Sequence, residues 1–444
     1  VSDRFAIHCL GSCCSVLIGG SVAPAKAECD QHQGIKGNFR GANFHEQRGS
    51  YLQAMKAKDQ LNQMLLRSKP KPVSSEKGET PICPYMLTIM WYPEAGNNFT
   101  FAQLKSLSVM PSEYKALTLS QEVGLHFTQQ PHRDLKEGEA LVRIRAAALN
   151  HRDEFIREGL YPNIQFPAIL GSDGCGIVED IRDQHNRTLL SKEVIINPGM
   201  NWGDTEAAQS KHFQILGMPS PGVFAEYAIV PVENLYRKPP HLSAAQAAAL
   251  PLAGLTGYRA LITKGELKPA QKVLVTGIGG GVAQMVLLMA SARNADIHVT
   301  SGEDAKLDRA KELGALDGVN YRQSDWPDKL KKQSGGFDLI IDSAGGDQWN
   351  ALIDLLKPGG QLVFYGATLG APSSLNLHKI FWKQLTLQGT TMGSDQDFED
   401  MLSFVEKNRL VPTVDSIRPF DQVIEAFDQI KAGTQFGKLV VKME

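Results

Sequence analysis

The feature that most constrains the fold of this chain is a glycine-rich turn at residues 277–281. Residues 272–276, which precede it, are apolar and mostly β-branched, as is typical of a strand buried on both faces. Residues 284–293, which follow it, are rich in Met, Leu and Ala and predict a helix. Glycines between a strand and a helix let the backbone approach a pyrophosphate, whose charge is met by free N–H groups at the helix start. The sequence therefore predicts a dinucleotide site at this turn.

The residues of the turn are assigned to this site individually. Ala283 occupies the third small position, where the helix and the strand must pack closely. A glycine cluster by itself also marks a flexible turn, and its place between a strand and a helix is what favours a nucleotide site. The turn residues that we predict to contact the cofactor are Gly277, Gly279, Gly280, Gly281, Val282 and Ala283.

Alternating strands and helices continue after the turn. Residues 296–300, 337–342 and 361–365 predict strands, and residues 305–313 and 349–356 predict helices, the second stopped by the Pro-Gly-Gly run at 358–360. This alternation predicts an α/β domain with a doubly wound parallel sheet and a ligand at the carboxyl ends of its strands. Gly366 follows one of these strands and is predicted to line the cofactor crevice.

The end of the second strand indicates which nicotinamide cofactor binds. NAD-dependent proteins usually have an acid there, but this chain has Ser301. The missing carboxylate permits a 2′-phosphate, and Lys306 and Arg309 on the next helix are candidate cations for it. NADP(H) is therefore preferred, while NAD(H) stays open because Glu303 and Asp304 are close enough in sequence to reach the ribose. The alternative interpretation of the two cations is a solvated helix face.

Composition restricts the classes of function. The 444 residues suit two domains with an appendage, and a formal net charge of −2 gives no electrostatic reason to expect nucleic acid or an anionic membrane as a partner. No run of about 18 apolar residues predicts a membrane span. Cys175 is the only cysteine after Cys83, which excludes disulfides and multi-thiolate zinc sites from the main body. A reducing, cytoplasmic location is expected.

Residues 1–109 differ from the rest of the chain. They have no sustained helical or alternating pattern, and we interpret them as a disordered extension or a leader outside the mature protein. The alternative is a working signal peptide, because residues 25–27 have a small-x-small cleavage pattern; the location would then be organellar or secretory. Met110 is the expected start of the folded body.

From about Tyr114 onward the chain resembles the medium-chain dehydrogenase/reductase superfamily, particularly its zinc-free quinone oxidoreductase and enoyl reductase-like branch. The motifs that carry the resemblance lie at residues 115–117, 141–150, 157–161, 166–178, 222–227, 247–258 and 437–440. The resemblance implies a GroES-like β-barrel catalytic domain at 110–253, a Rossmann NAD(P)-binding domain at 254–384, and a segment at 385–444 that returns to the catalytic domain. It also implies a cleft between the domains for the nicotinamide, and a homodimer.

The resemblance also allows the zinc-ligand positions of the family to be compared with this sequence. The positions that match the catalytic zinc ligands of the alcohol dehydrogenase branch hold Asn150, Ser172 and Leu252, none of which is an ordinary zinc ligand. The four-cysteine structural lobe is also missing from residues 197–221. We therefore expect no metal. The remaining potential ligands have no recognised spacing and are His151, Asp153, Asp173, Cys175, His212 and Glu226.

The resemblance also implies roles at the acceptor end of the cleft. Asn150 and Asp153 resemble residues beside the nicotinamide, where Asn150 is placed to donate to the acceptor oxygen. Tyr161 resembles a cleft tyrosine that orients the acceptor or donates a proton. The structural alternatives are an ordinary turn after a strand for the first two, and a phenol packed under a loop for Tyr161.

Further positions resemble cofactor contacts of the family. Thr256 matches the residue that bonds the nicotinamide end, and Tyr321 matches a residue near the adenosine phosphate. Lys438 and His151 are candidates to contact phosphate oxygens, although surface exposure explains both equally well.

Together these features predict an NADPH-dependent reductase that transfers hydride to a quinone or an α,β-unsaturated carbonyl without zinc. Without a Lewis acid an alkoxide is hard to stabilise, whereas a conjugated acceptor spreads its charge. Two alternatives remain open. One is an NAD(P)-dependent alcohol or aldehyde dehydrogenase of the same superfamily, and the other is a non-catalytic NADPH-binding protein similar to the lens crystallin relatives.

Overall fold

A computed structural model describes residues 4–10, 13–19, 111–183 and 186–443. The chain forms two compact units, Val1–Glu113 and Tyr114–Glu444. In the first unit, β1 (Arg4–Leu10) pairs antiparallel with β2 (Cys13–Gly19), a hairpin that the sequence pattern did not predict. The rest of the 1–109 segment, and Met110, lie outside the described residues, so the extension or leader stays a prediction.

The second unit contains an antiparallel domain followed by a parallel α/β domain. The strands of the antiparallel domain come first in the chain: β3 (Glu113–Ser120), β4 (Gly124–Pro131), β5 (Glu139–Ala148), β6 (Ala168–Ile169), β7 (Asp173–Arg182), β8 (Glu193–Ile196), β9 (Gly199–Met200), β10 (Gln214–Ile215), β11 (Tyr227–Pro231) and β12 (Leu235–Arg237). β5 is central, because it pairs with both β7 and β11. Its buried side chains, such as Val142 and Ile144, pack in the core of this domain.

The parallel sheet has six strands: β13 (Lys272–Val275), β14 (Asp296–Ser301), β15 (Asp317–Asn320), β16 (Phe337–Asp342), β17 (Leu356–Phe364) and β18 (Thr386–Gly389). Their spatial order is β15-β14-β13-β16-β17-β18, and all neighbours run parallel. The order reverses between β13 and β16, and the crevice at such a reversal is where doubly wound sheets bind ligands. The predicted Rossmann architecture is confirmed.

Ten helices accompany these strands in the described part of the chain. They are α1 (His151–Arg157), α2 (Ala244–Ala248), α3 (Pro251–Tyr258), α4 (Gly281–Ala292), α5 (Asp304–Glu312), α6 (Trp326–Ser334), α7 (Trp349–Leu355), α8 (Leu377–Trp382), α9 (Asp395–Asn408) and α10 (Val423–Ala432). None of these helices has the length and apolarity needed to cross a bilayer, as far as the described residues extend.

The C-terminal segment returns to the antiparallel domain later than the sequence indicated. Residue 385 was the predicted boundary, but β18 pairs with β17 and so belongs to the parallel sheet. The return is made by β19 (Val414–Pro419) and β20 (Lys438–Lys442), and β20 pairs antiparallel with β5. The short β18 was missed because its side chains are at most half-buried, which leaves no apolar pattern.

Three further elements of the structure differ from those predicted from the sequence. β17 is longer than predicted and includes the Pro-Gly-Gly run at 358–360, because its first residues continue the sheet after α7. β15 and α6 were not predicted at all. Each has a weak apolar pattern, with Val319 the one buried residue of β15.

Candidate functional site

The glycine turn joins β13 to α4 and has an open outer face. Gly277 has a φ of +64°, a left-handed conformation that favours glycine, and the Ile278 N–H donates to the Thr300 carbonyl at 2.9 Å. A Cβ on Gly280 would meet nothing closer than 3.7 Å, so the space outside the turn is free. The N–H groups in the first turn of α4 have no intrahelical partner and can receive an anion. This cradle fits a dinucleotide pyrophosphate.

Asp342, at the end of β16, holds the turn from behind, and sequence reasoning did not single it out. This fully buried carboxylate accepts hydrogen bonds from the Thr276 hydroxyl at 2.6 Å, the Gly345 N–H at 2.9 Å and the Trp349 indole at 3.0 Å. Thr276 is the residue immediately before Gly277. The carboxylate therefore ties the ends of two adjacent strands together beneath the cofactor crevice.

The other predicted residues around the turn lie on both sides of it. Ala283 is buried, as close packing of the helix requires, and Val282 is half-buried. Thr256 is buried on α3, with its hydroxyl 4.0 Å from the sulfur of Met392. Gly366 follows β17 at the carboxyl edge of the sheet, where a Cβ would lie 2.8 Å from the Ser343 carbonyl oxygen.

The two cations predicted for a 2′-phosphate are engaged elsewhere. The Lys306 ammonium donates to the Gly433 carbonyl at 2.7 Å and pairs with Glu303 at 2.9 Å. The Arg309 guanidinium lies 4.1 Å from the centre of the Phe436 ring. Both side chains thus hold the segment that leads into β20. This differs from the role that their sequence position suggested.

A different cation lies at the end of β14. A Cβ on Gly302 would come within 2.8 Å of the Tyr321 hydroxyl oxygen and 3.0 Å of the Arg322 Nε atom. Within the described part of the chain, the Arg322 guanidinium has no hydrogen bond or ion pair. Ser301 is buried, and its hydroxyl accepts the Glu303 N–H at 3.1 Å. Sequence reasoning missed Arg322, although its position directly after Tyr321 was an available signal.

The residues predicted for the acceptor end surround a buried carboxylate, that of Asp173. One oxygen accepts from the Asn150 side-chain N–H at 2.9 Å and from the Lys438 ammonium at 2.8 Å. The other oxygen accepts the backbone N–H of Leu252 at 2.8 Å. The Lys438 ammonium also donates to the Asn150 carbonyl oxygen at 2.6 Å. Asn150, Asp173 and Lys438 therefore form a closed, buried network, named here the acid–amide–ammonium cluster.

Asp153 lies directly behind this cluster. One of its oxygens accepts the Asn150 backbone N–H at 2.9 Å, which anchors the start of α1. Its other oxygen is buried without a hydrogen-bond partner among the described residues. Burial raises the pKa of Asp153 to about 6, and the nearby Arg152 guanidinium opposes that rise.

Arg152 organises the wall beside the cluster. Its guanidinium donates to the Ser172 hydroxyl at 2.7 Å and to the carbonyls of Leu216 and Met218 at 3.0 and 3.2 Å. It also lies 5.1 Å from the centre of the half-buried Tyr161 ring. Tyr161 packs against the core of the antiparallel domain, so the structure places it on this wall. His151 is exposed.

These residues do not fit a zinc ion. The Asn150 oxygen is bonded to an ammonium, the Ser172 hydroxyl donates to the Leu216 carbonyl at 2.7 Å, and the Leu252 side chain has no ligand atom. Across the residues that the structure describes, no group of three or more His, Cys, Asp or Glu side chains is arranged to hold a metal ion.

Comparisons with known proteins agree with the fold of residues 114–444. The family described as alcohol dehydrogenase GroES-like domain matches residues 136–240, and the one described as zinc-binding dehydrogenase matches residues 281–407. A zinc-type alcohol dehydrogenase-like protein from Leptosphaeria maculans is 38% identical over 325 residues, which cover 69% of this chain and 90% of that protein. A chloroplastic quinone-oxidoreductase homolog from Spinacia oleracea is 25% identical, covering 70% and 91%. Among solved structures, an NAD-dependent alcohol dehydrogenase has a TM-score of 0.70 at 32% identity, covering 74% of this chain and 100% of that one.

Proposed function

The chain belongs to the medium-chain dehydrogenase/reductase superfamily as an NAD(P)H-dependent oxidoreductase, and we propose that it reduces quinones or α,β-unsaturated carbonyls with NADPH, without zinc. The observation that carries this proposal is the acid–amide–ammonium cluster. At the position where a metal-dependent relative needs thiolate and imidazole ligands, this chain has an amide bonded to a buried ammonium.

The chemistry of the donor groups explains why a conjugated acceptor is favoured. Hydrogen-bond donors alone stabilise the charge of a localised alkoxide less well than a Lewis acid does. In a quinone or an enone the charge that follows hydride addition is spread over several atoms. An amide N–H can stabilise such a delocalised oxyanion, and Asn150 has an amide proton left after it donates to Asp173.

The residues of this chain divide the work as follows. When bound, a reduced nicotinamide would supply a hydride to the acceptor, whose oxygen would then carry the negative charge. The Asn150 N–H donates to that oxygen, and a proton from solvent completes the reduction. Arg152 and Tyr161 form the wall that limits water at this end, and Asp153 anchors the helix that begins next to Asn150.

The preference for NADPH is supported by Arg322. Its guanidinium lies against Gly302 at the end of β14, where the ribose of a dinucleotide is expected, and its planar donors suit a phosphate. The buried Ser301 presents no carboxylate there. We therefore assign the 2′-phosphate to Arg322 and Tyr321, and no longer to Lys306.

The test is a hydride-transfer assay on purified protein whose metal content is measured in the same preparation. NADPH is incubated with a panel of quinones and enones, and with aldehydes as a comparison, while loss of nicotinamide absorbance is followed. We expect turnover with the conjugated acceptors that is insensitive to chelators, and less than stoichiometric zinc. Stoichiometric zinc that is lost together with alcohol oxidation would replace this proposal with an alcohol dehydrogenase. Tight NADPH binding without any turnover would favour a non-catalytic binding protein.

The oligomeric state and the cellular location are predicted together with this function. The homodimer and the cytoplasmic location stay predictions, to be checked by sedimentation and by imaging of the tagged full chain.

A further inference from the structure

Lys438 links the glycine turn to the acceptor end. It is the first residue of β20, and its stem passes so close to α4 that a Cβ on Gly281 would lie 2.6 Å from Lys438 Cδ. Its ammonium reaches the Asn150 carbonyl oxygen at 2.6 Å and the Asp173 carboxylate at 2.8 Å. The side chain is 5% exposed, so both contacts are shielded from water.

A second buried lysine beside the turn makes a useful contrast. A Cβ on Gly279 would lie 3.4 Å from Lys306 Nζ, so this ammonium is also adjacent to the turn. Its partners are the Gly433 carbonyl and Glu303, and neither belongs to the acceptor end. Proximity to the turn therefore does not require a lysine to contact Asn150.

The hydrogen bonds determine how the Asn150 amide is oriented. An ammonium only donates and a carboxylate only accepts, so the Asn150 oxygen must face Lys438 and one of its N–H bonds must face Asp173. A cation on an amide oxygen draws electron density from the nitrogen and makes the remaining N–H a stronger donor. Burial increases this polarisation because the local dielectric constant is low.

We propose that Lys438 is a positioning residue for the reduction, acting through Asn150. It orients and polarises the Asn150 amide so that the free N–H stabilises the negative charge developing on the acceptor oxygen. The inference rests on the proposed function in one respect, namely that Asn150 faces the acceptor. It differs from the phosphate contact suggested by sequence, because its effect falls on the chemical step.

The experiment is a double-mutant cycle on the full-length protein. Lys438→Met, Asn150→Ala and the double variant are compared with wild type for kcat, for KM of a quinone, and for the Kd of NADPH. We expect each single change to lower kcat by about 100- to 1,000-fold, as loss of one oxyanion donor does. We expect kcat of the double variant to be no more than about twofold below that of the less active single variant, because both changes remove the same hydrogen bond.

Two results would overturn the inference. One is a double variant whose loss in kcat equals the product of the two single losses, since Lys438 would then act independently of Asn150. The other is a Lys438→Met variant with weaker NADPH binding and normal kcat, which would identify a phosphate contact alone.

Additional variants keep the test decisive if removal of one buried charge unfolds the protein. Asp173→Asn combined with Lys438→Met removes both charges at once, and we expect it to fold and to show the low kcat. Lys438→Arg keeps the positive charge and should recover most of the activity. Lys383→Met is the control, because the Lys383 ammonium is likewise held by several hydrogen bonds, to the carbonyls of Ile353, Asp354 and Leu356, but away from the acceptor end. Its kcat should equal that of wild type.

Failure of this inference can be told apart from failure of the proposed function. If wild type transfers no hydride to any quinone or enone, the proposed function is wrong. If wild type is active and the losses in the cycle multiply, only the role of Lys438 is wrong.

Discussion

The glycine turn and the acid–amide–ammonium cluster are linked by Lys438 and are built in different ways. The turn is one continuous stretch, residues 277–283, whose shape comes from its own backbone. The cluster joins groups that are far apart in the chain: Asp173 bonds to Asn150 across 23 positions, to Leu252 across 79 and to Lys438 across 265. The pyrophosphate cradle is therefore encoded locally, whereas the cluster exists only after distant parts of the chain have come together.

This contrast has an energetic consequence. A glycine turn needs only the conformational freedom of its residues and the free N–H groups of one helix. A buried ion pair loses its hydration, and it is tolerated only when every partner is in place. Changes in the cluster should therefore affect folding more strongly than changes at the edge of the nucleotide site.

The largest loss of folding stability is expected for Asp173→Ala. This change leaves the Lys438 ammonium buried without its counter-ion and the Leu252 N–H without an acceptor. Removal of one partner of a buried pair typically destabilises a protein by about 3–5 kcal/mol. Urea unfolding should show a decrease of this size in the free energy of unfolding.

The control for Asp173→Ala is Lys379→Ala. It breaks the Lys379–Asp354 pair, whose side chains are 46% and 48% exposed, and should change the stability by less than about 1 kcal/mol. A loss for Asp173→Ala as small as that of the control would show that the cluster is not buried as described.

The next effect concerns the pH dependence of stability at Asp153. Its folded pKa of about 6 is above the value of about 3.9 in an unfolded chain, so the folded state binds the proton more tightly. Its contribution to stability is fully present below pH ~4 and is lost as the pH rises through ~6. Wild type should therefore lose about 3 kcal/mol between these limits relative to Asp153→Asn, since one pKa unit equals 1.36 kcal/mol.

The measurement for Asp153 is urea unfolding of wild type and Asp153→Asn at a series of pH values. Taking the difference between the two proteins at each pH cancels the titration of the other carboxyl groups. A difference that does not change with pH would mean that Asp153 is as well solvated in the folded state as in the unfolded chain.

The smallest change in free energy is expected at the edge of the nucleotide site, where a variant should alter cofactor affinity. Arg322→Ala should weaken NADPH binding about tenfold, equivalent to 1.4 kcal/mol, and leave NADH binding nearly unchanged. The ammonium of Lys306 is bonded to Gly433, so Lys306→Ala should affect both cofactors equally. Fluorescence titration of the two variants with each cofactor distinguishes these roles. A selective loss of NADPH binding in Lys306→Ala would return the 2′-phosphate to that lysine.

Part of the site was predictable because its chemistry depends on neighbours in sequence. The strand, glycine turn and helix at 272–293 were recognised from their order, and the parallel sheet from the alternation that follows. Asn150 and Lys438 were named as candidates from the resemblance. Their bond to each other was not predicted, because a sequence pattern carries no information on contacts across 288 positions.

The surroundings of other residues could not be predicted for the same physical reason. Lys306 and Arg309 lie at helical spacing, and a helix face alone does not show whether solvent, a phosphate or another segment covers it. In the folded chain, residues 433–436 cover this face of α5, so both cations contact protein groups there. Asp173 was named only among acids without a recognised ligand spacing, since neither its burial nor its ammonium partner is visible in the sequence.

The sequence by itself determined the parallel nucleotide-binding sheet, the glycine turn and the presence of a single cysteine, Cys175, in the main body, because these depend on local backbone preferences and on which residue types are present. Only the tertiary structure decided which lysine reaches the acceptor end, which cation lies beside Gly302, and which carboxylate is buried. Those properties depend on the desolvation and pairing of charges brought together from distant parts of the chain, and both are set by packing.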